Sequence, residues 1–86
     1  MTTVEQKAVM LEKIETVLRN HNCKIGNSII DTMSDGIYVF SSVITEGAVS
    51  FKAMKEIMML DPQFTDIDVD LIDGKMYVNV TFDNER

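Results

Sequence analysis

One stretch of the chain alternates strictly between apolar and polar residues on both sides of a possible turn. It runs from Thr65 to Asp83 and reads TDIDVDLIDGKMYVNVTFD, with Asp73 and Gly74 in the middle. An Asp-Gly pair between two alternating runs is a strong signal for a β-hairpin closed by a type I′ turn. The turn fixes which residues face one another across the hairpin. The predicted pairs are Ile72 with Lys75, Leu71 with Met76, Asp70 with Tyr77, Val69 with Val78, Asp68 with Asn79 and Ile67 with Val80.

The predicted hairpin has one apolar face and one polar face, because successive side chains of a strand point to opposite sides. The apolar face carries Ile67, Val69, Leu71, Met76, Val78, Val80 and Phe82. The polar face carries Asp66, Asp68, Asp70, Tyr77, Asn79 and Thr81. A one-residue slip of the pairing would bury the three aspartates, so the sequence specifies the register strongly.

Residues 3 to 20 have the periodicity of an amphipathic helix, capped by Thr2 or Thr3. Its apolar arc consists of Val4, Ala8, Met10, Leu11, Ile14, Val17 and Leu18. Val9 is the one apolar residue on the polar side, and it is interpreted either as an isolated exposed valine or as a partner contact. After the helix, Asn20 or Asn22 has the residue type that adopts a left-handed conformation at a helix end.

A second helix is predicted from Glu46 or Phe51 to Leu60. Either Thr45 or Ser50 is a suitable cap, and Pro62 excludes helical geometry at the residue before it. The apolar arc of this helix is wide, so we expect it to be the more buried of the two. Met54, Met58 and Met59 are interpreted as adaptable core fillers rather than as a binding groove.

Residues 27 to 44 contain another Asp-Gly pair, Asp35-Gly36, between two β-prone runs. The pattern predicts a second hairpin, in which residues 28 to 34 form either a strand or a short helix. As a regular hairpin it would place Ile30, Ile37, Val39 and Val43 on one face. The other face would carry Ile29, Met33, Tyr38 and Phe40. The sequence does not indicate which face is buried.

The predicted fold class is α+β, in a single domain over residues 1–86 with the element order αββαββ. Two such αββ units would form one four-stranded antiparallel sheet with both helices on one face. This arrangement has the connectivity of a circularly permuted ferredoxin-like fold. The comparison is topological and carries no function.

Charge is unevenly distributed along the chain, which has a formal net charge of −6. Residues 61 to 86 contain seven acidic and two basic residues, a net charge of −5, and residues 1 to 60 have a net charge of −1. This balance disfavours direct binding to nucleic acid or to an anionic membrane, and it favours a basic protein partner. The sequence also shows a single cysteine, Cys23, and no signal-peptide pattern, so a cytoplasmic location is expected.

Motifs for catalysis or metal binding are weak. The run Asp66-x-Asp68-x-Asp70 begins like a calcium loop, but Leu71 stands where the loop needs glycine and Tyr77 where it needs glutamate. A weak divalent cation between Asp68 and Asp70 is a minor alternative. His21 and Cys23 are interpreted as loop surface, without the orienting group or oxyanion site of a nucleophilic pair. We therefore expect a protein that is not an enzyme and has no cofactor.

The polar face of the second hairpin is the predicted binding site. Its residues are Asp66, Asp68, Asp70, Asp73, Tyr77 and Asn79, and Asp61, Asp83 and Glu85 would extend it. The predicted function is an acidic module, such as an inhibitor that mimics nucleic-acid phosphates, docking on a basic, nucleic-acid-handling protein. A polar face without function is the simpler interpretation. The alternative function is a structural or assembly subunit that self-associates, for example as a homodimer, through a sheet face or edge that includes Met33, Tyr38 and Phe40.

Overall fold

The computed structural model describes residues 4–34 and 36–84, and of Val4 and Glu5 only the backbone. The predicted caps Thr2 and Thr3, the turn residue Asp35 and the charged residue Glu85 lie outside the described residues. The elements are α1 (Val4–Asn20), β1 (Lys24–Ser34), β2 (Ile37–Glu46), α2 (Phe51–Met58), β3 (Phe64–Ile72) and β4 (Lys75–Asp83). The predicted α+β class and element order are confirmed, and residues 28 to 34 belong to a strand.

The four strands form one antiparallel sheet in the order β1-β2-β4-β3. Its central strands, β2 and β4, belong to different hairpins. The predicted register of β3 and β4 is confirmed at every pair from Ile67–Val80 to Ile72–Lys75. Asp73 and Gly74 have φ angles of 50° and 75°, as a type I′ turn requires.

The prediction placed Ile29 and Ile30 of β1 on the wrong faces of the first hairpin, because β1 contains an extra residue near its turn. Ser34 pairs with Ile37, but the next pair is Thr32 with Tyr38, so Met33 is bulged out of the ladder. One inserted residue moves every side chain beyond it to the opposite face of the strand. Ile30 consequently lies opposite the buried Phe40, on the face that packs against the helices.

The core lies between the two helices and one face of the sheet. It consists of Ile14, Val17, Leu18, Cys23, Phe40, Ile44, Ala53, Ile57, Phe64, Val78, Val80 and Phe82. Phe40, Phe64 and Phe82 pack edge to face, with ring centroids 5.8 to 6.2 Å apart. The predicted apolar arc of α1 is confirmed at Ile14, Val17 and Leu18, which are buried, whereas Ala8 is exposed.

One buried polar contact joins α1 to the sheet. Ser42 is buried on β2, and its hydroxyl lies 3.0 Å from that of Ser28 on β1. The Ser28 hydroxyl also donates to a carboxylate oxygen of Glu15 at 2.9 Å. Pairing of this kind removes the cost of burying a hydroxyl without a partner.

The loops at the ends of the helices are closely packed. Asn22 has a φ angle of 66°, which confirms the predicted left-handed asparagine after α1. Gly47 has a φ angle of 97°, and a Cβ atom there would lie 2.6 Å from the Asn22 carbonyl oxygen. α2 is capped by Ser50, whose side chain accepts a hydrogen bond from the Ala53 N–H at 3.0 Å. The alternative cap, Thr45, is part of β2.

Candidate protein-binding face and edge of the sheet

The predicted site residues lie on the sheet face that points away from the helices, or in the adjacent turn. Asp66, Asp68 and Asp70 are exposed along β3, whereas Tyr77 and Asn79 are half-buried on β4. Their alternation with the buried residues of β4 places them on the outer face. Asp73 is exposed in the β3–β4 turn, beyond the end of the row.

Hydrogen bonds hold two of the three aspartates in fixed positions. The side-chain amide nitrogen of Asn79 donates to Asp68 Oδ1 and to Asp70 Oδ2, each at 2.9 Å. The side-chain oxygen of Asn79, Oδ1, in turn accepts from the Ser41 hydroxyl at 2.8 Å. The chain of contacts therefore crosses three strands. The Asn79 amide bonds both carboxylates, at the place where the weak cation would have bridged them.

Ser41 was not predicted as a site residue. It lies on β2 and pairs directly with Asn79 across the β2–β4 ladder. A serine in the middle of an apolar strand carries no signal of its own. Only the pairing of two strands from different hairpins brings it to the aspartate row.

The outer face is not uniformly polar. Across the four strands, Asp31 pairs with Val39, Val39 with Thr81, and Thr81 with Asp66. Carboxylates thus lie at both edges of the sheet, and the half-buried side chains of Val39 and Thr81 lie between them. Val43 continues this central strip beside Tyr77.

On the helix side, β3 and α2 border an apolar groove of about 500 Å³. Its lining residues are Phe51, Met54, Lys55, Met58, Met59 and Ile67. Met59 is 82% exposed, so its interpretation as a core filler was wrong, whereas Met58 packs against the core. Phe51 is 74% exposed. Val69 and Leu71 extend the apolar surface along the same face of β3 and are also exposed. Large apolar side chains left in water at this density are typical of an interaction surface.

β3 is an edge strand, because it pairs with β4 on one side only. A two-residue turn is flanked by a hydrogen-bonded pair, here Ile72 and Lys75, and the direction of bonding then alternates along the strand. The backbone N–H and C=O groups of Ile67, Val69 and Leu71 therefore point away from β4. These groups form a regular free edge beside the groove.

The residues of the predicted homodimer interface do not share an exposed surface. Phe40 is buried in the core. Tyr38 is half-buried on the helix side, where the Lys7 ammonium lies 3.8 Å from the centre of its ring. Met33 alone of the three is strongly exposed. Phe40 therefore does not contribute to an exposed surface, and self-association through the sheet stays a prediction.

His21 and Cys23 lie in the loop after α1, but they are not surface residues as predicted: Cys23 is buried and His21 is half-buried. Cys23 is buried, with its sulfur 3.4 Å from the Ala48 carbonyl oxygen, and burial raises the pKa of its thiol. A raised pKa leaves less of the nucleophilic thiolate. His21 lies 3.2 Å from a carboxylate oxygen of Glu56, which joins the loop after α1 to α2.

A second groove of about 480 Å³ lies between α1 and the segment after α2. Val9 and Met10 line one side of it, and Leu60 and Phe64 line the other. The exposed Val9 is therefore part of a larger apolar surface, although nothing in the described contacts indicates what would occupy it. Within residues 4–34 and 36–84, no group of three or more His, Cys, Asp or Glu residues is placed to hold a metal ion.

No protein-family model matches the chain, and no curated protein or solved structure matches it significantly. Neither described helix is long and apolar enough to cross a membrane. The function of the protein must therefore be inferred from its own surfaces.

Proposed function

We propose that this protein is a non-enzymatic binding module whose acidic sheet face docks on a basic protein surface. The observation that supports this most strongly is the Asn79 amide, which holds the carboxylates of Asp68 and Asp70 in place. Ordering charged side chains before binding lowers the entropy lost when a partner is met.

The class of partner follows from the spacing and the sign of the charges. Alternate residues of a strand are roughly 6.6 to 6.8 Å apart, so the β3 aspartates form a regular row of negative charge. A row of this kind is complementary to a groove of lysines and arginines that otherwise holds nucleic-acid phosphates. The module would then act as an inhibitor that mimics nucleic acid. Its partner would be a nucleic-acid-handling protein of the cytoplasm.

The proposed fold family is the ferredoxin-like fold in circularly permuted form. The strand order β1-β2-β4-β3 and the placement of both helices on one face are consistent with that topology. The topology leaves one face of the sheet uncovered by helices, and the aspartate row lies on that open face. Fold alone gives no function, so the proposal depends on the surface.

The first test compares two triple variants with the same net charge. Asp66, Asp68 and Asp70 are all changed to Asn in one variant. Glu12, Glu46 and Glu56 are all changed to Gln in the control, which leaves Asp31 and the aspartate row of the outer face in place. We expect the wild-type protein and the control to capture basic proteins from lysate at low salt and to release them as salt rises, because screening weakens surface attraction. The Asp66–Asp70 variant should lose this capture while its melting temperature stays close to that of the wild type.

Equal capture by both triple variants would contradict the proposal, because the row would then contribute no more than net charge. If the wild-type protein recovers only itself, and does so independently of salt, the assembly-subunit alternative is favoured. Sedimentation velocity of the purified protein at high concentration separates that alternative from a monomer.

A further inference from the structure

We propose that the free edge of β3 binds an extended segment of the partner as an added fifth strand. The segment would alternate basic and apolar residues, with its basic side chains toward the aspartate row and its apolar side chains toward α2. This inference rests on the proposed function and specifies how the acidic face meets its partner. Strand addition of this kind gains affinity from main-chain hydrogen bonds and specificity from alternate side chains.

The main-chain part of the argument is the regularity of the edge. From Asp66 to Ile72, β3 pairs with β4 without a register shift. The outward N–H and C=O groups of Ile67, Val69 and Leu71 are therefore evenly spaced along an unbroken strand. An edge with these properties is a template for a further strand.

The apolar part of the argument is the groove between β3 and α2. An added strand would lie beside β3, at the usual separation of about 4.8 Å. Every second side chain of that strand would then point toward Phe51, Met54 and Met58, which line the groove. Methionine adapts its shape to different apolar partners, so the groove does not require one particular side chain.

Charge decides which strand fits. A second copy of β3 pairing antiparallel at this edge would put its aspartates on the same face, next to Asp66, Asp68 and Asp70. Like charges opposite one another across a strand pair are destabilising. Lysine or arginine at alternate positions would instead meet opposite charges there. Pairing of this edge with a second copy of β3 is thus disfavoured by charge repulsion, whereas pairing with a basic strand is favoured.

The test uses two synthetic heptapeptides with blocked ends, each composed of four lysines and three valines. In one peptide the residues alternate, and in the other the lysines precede the valines. We expect the alternating peptide to bind the wild-type protein at least about tenfold more tightly in fluorescence anisotropy. On binding, hydrogen exchange of the Ile67, Val69 and Leu71 amides should slow. The Asp68 amide, already bonded to β4, serves as the internal reference.

Two variants of one residue separate the main chain from the side chain. Val69→Pro removes an outward N–H without removing a hydrogen bond to β4, a position at which edge strands accept proline. Val69→Ala shortens the side chain and keeps the N–H. We expect Val69→Pro to weaken binding of the alternating peptide at least about tenfold, and Val69→Ala no more than about threefold. The exchange measurement on the wild-type protein decides the matter if Val69→Pro does not fold.

Strand addition is overturned if the two peptides bind equally, if neither binds, or if no edge amide is protected. It is also overturned if slowed exchange accompanies dimerisation of the protein without peptide, since the occupant would then be a second copy. None of these results affects the triple-variant comparison. Loss of capture on changing Asp66, Asp68 and Asp70 would still support docking by charge.

Discussion

The two hairpins of this protein contribute the two edges of the sheet, and the edges are built differently. β1 departs from regular pairing with β2 at three places, and one of these is the bulge at Met33. β3 departs from regular pairing with β4 once, between Phe64 and Asp66 at its beginning. Bulges interrupt the row of free backbone groups and twist an edge away from would-be partners. The β1 edge is therefore interrupted by irregular pairing on both sides of Ser28–Thr32, whereas the β3 edge is regular from Asp66 to Ile72 and carries a row of charge.

Protection of a sheet edge by charge depends on the strand that approaches it. A bulge disfavours pairing at its position whatever the added strand, but a row of aspartates disfavours only strands that lack complementary charge. Apolar side chains are also exposed near the β3 edge, where a complementary strand would cover them. Leu71 of β3 and Phe51 of α2 are each 74% exposed. In the second hairpin, β4 thus contributes buried residues to the core, whereas most of β3 lies at the surface.

The largest predicted effect tests this division within the second hairpin. Phe82 is fully buried and packs against Phe40 and Phe64, so Phe82→Ala should lower the free energy of unfolding by about 3 to 5 kcal/mol. Leu71→Ala, on the exposed half of the same hairpin, should cost less than about 1 kcal/mol. Urea denaturation measures both values. Comparable losses for the two variants would mean that Leu71 is part of the core.

An intermediate effect is expected where the end of β2 meets the loop after α1. Gly47→Ala would place a Cβ atom 2.6 Å from the Asn22 carbonyl oxygen at a positive φ, and it should cost about 2 to 3 kcal/mol. Gly74 also has a positive φ, but nothing lies within 4 Å of its Cβ position. Gly74→Ala should therefore cost only about 1 kcal/mol. Thermal unfolding of both variants gives the ranking, and a reversed order would contradict the close approach at Gly47.

The smallest predicted effect concerns the asparagine that orders the acidic row. Asn79→Ala removes the amide donor shared by Asp68 and Asp70 and should cost about 1 kcal/mol. Asn79→Asp puts a third carboxylate between them, so it should cost more, and added salt should reduce its cost. Urea denaturation at low and high salt distinguishes the two. A cost for Asn79→Asp that does not depend on salt would mean that charge repulsion is not its source.

The sequence predicted the second hairpin well and the first poorly, for a physical reason. Asp73-Gly74 closes a regular turn, so its position sets every pair up to Ile67. In the first hairpin, the extra residue at Met33 moves the side chains of Ile29 and Ile30 to the faces opposite to those predicted. No residue type in β1 predicts a bulge there. The strand order had to come from pairing β2 with β4, which depends on the packing of the whole domain.

The candidate site was predictable only in part, for a related reason. The alternation of aspartates with apolar residues placed Asp66, Asp68 and Asp70 on one face of a strand. Local pattern does not reveal which strand stands at an edge, so neither the contact with Ser41 nor the groove beside α2 could be foreseen.

The central position of β4 also sets the order of events in folding. Each hairpin joins neighbouring residues, and such local structures form within roughly 1 to 10 microseconds. The β2–β4 ladder instead joins residues as far apart along the chain as Ile37 and Asp83. Contacts at long sequence separation slow folding, because a large loop must close before they form. We therefore expect the joining of β2 to β4 to be the rate-limiting step, and an unjoined β3–β4 hairpin to expose both its edges and its apolar face to aggregation until then.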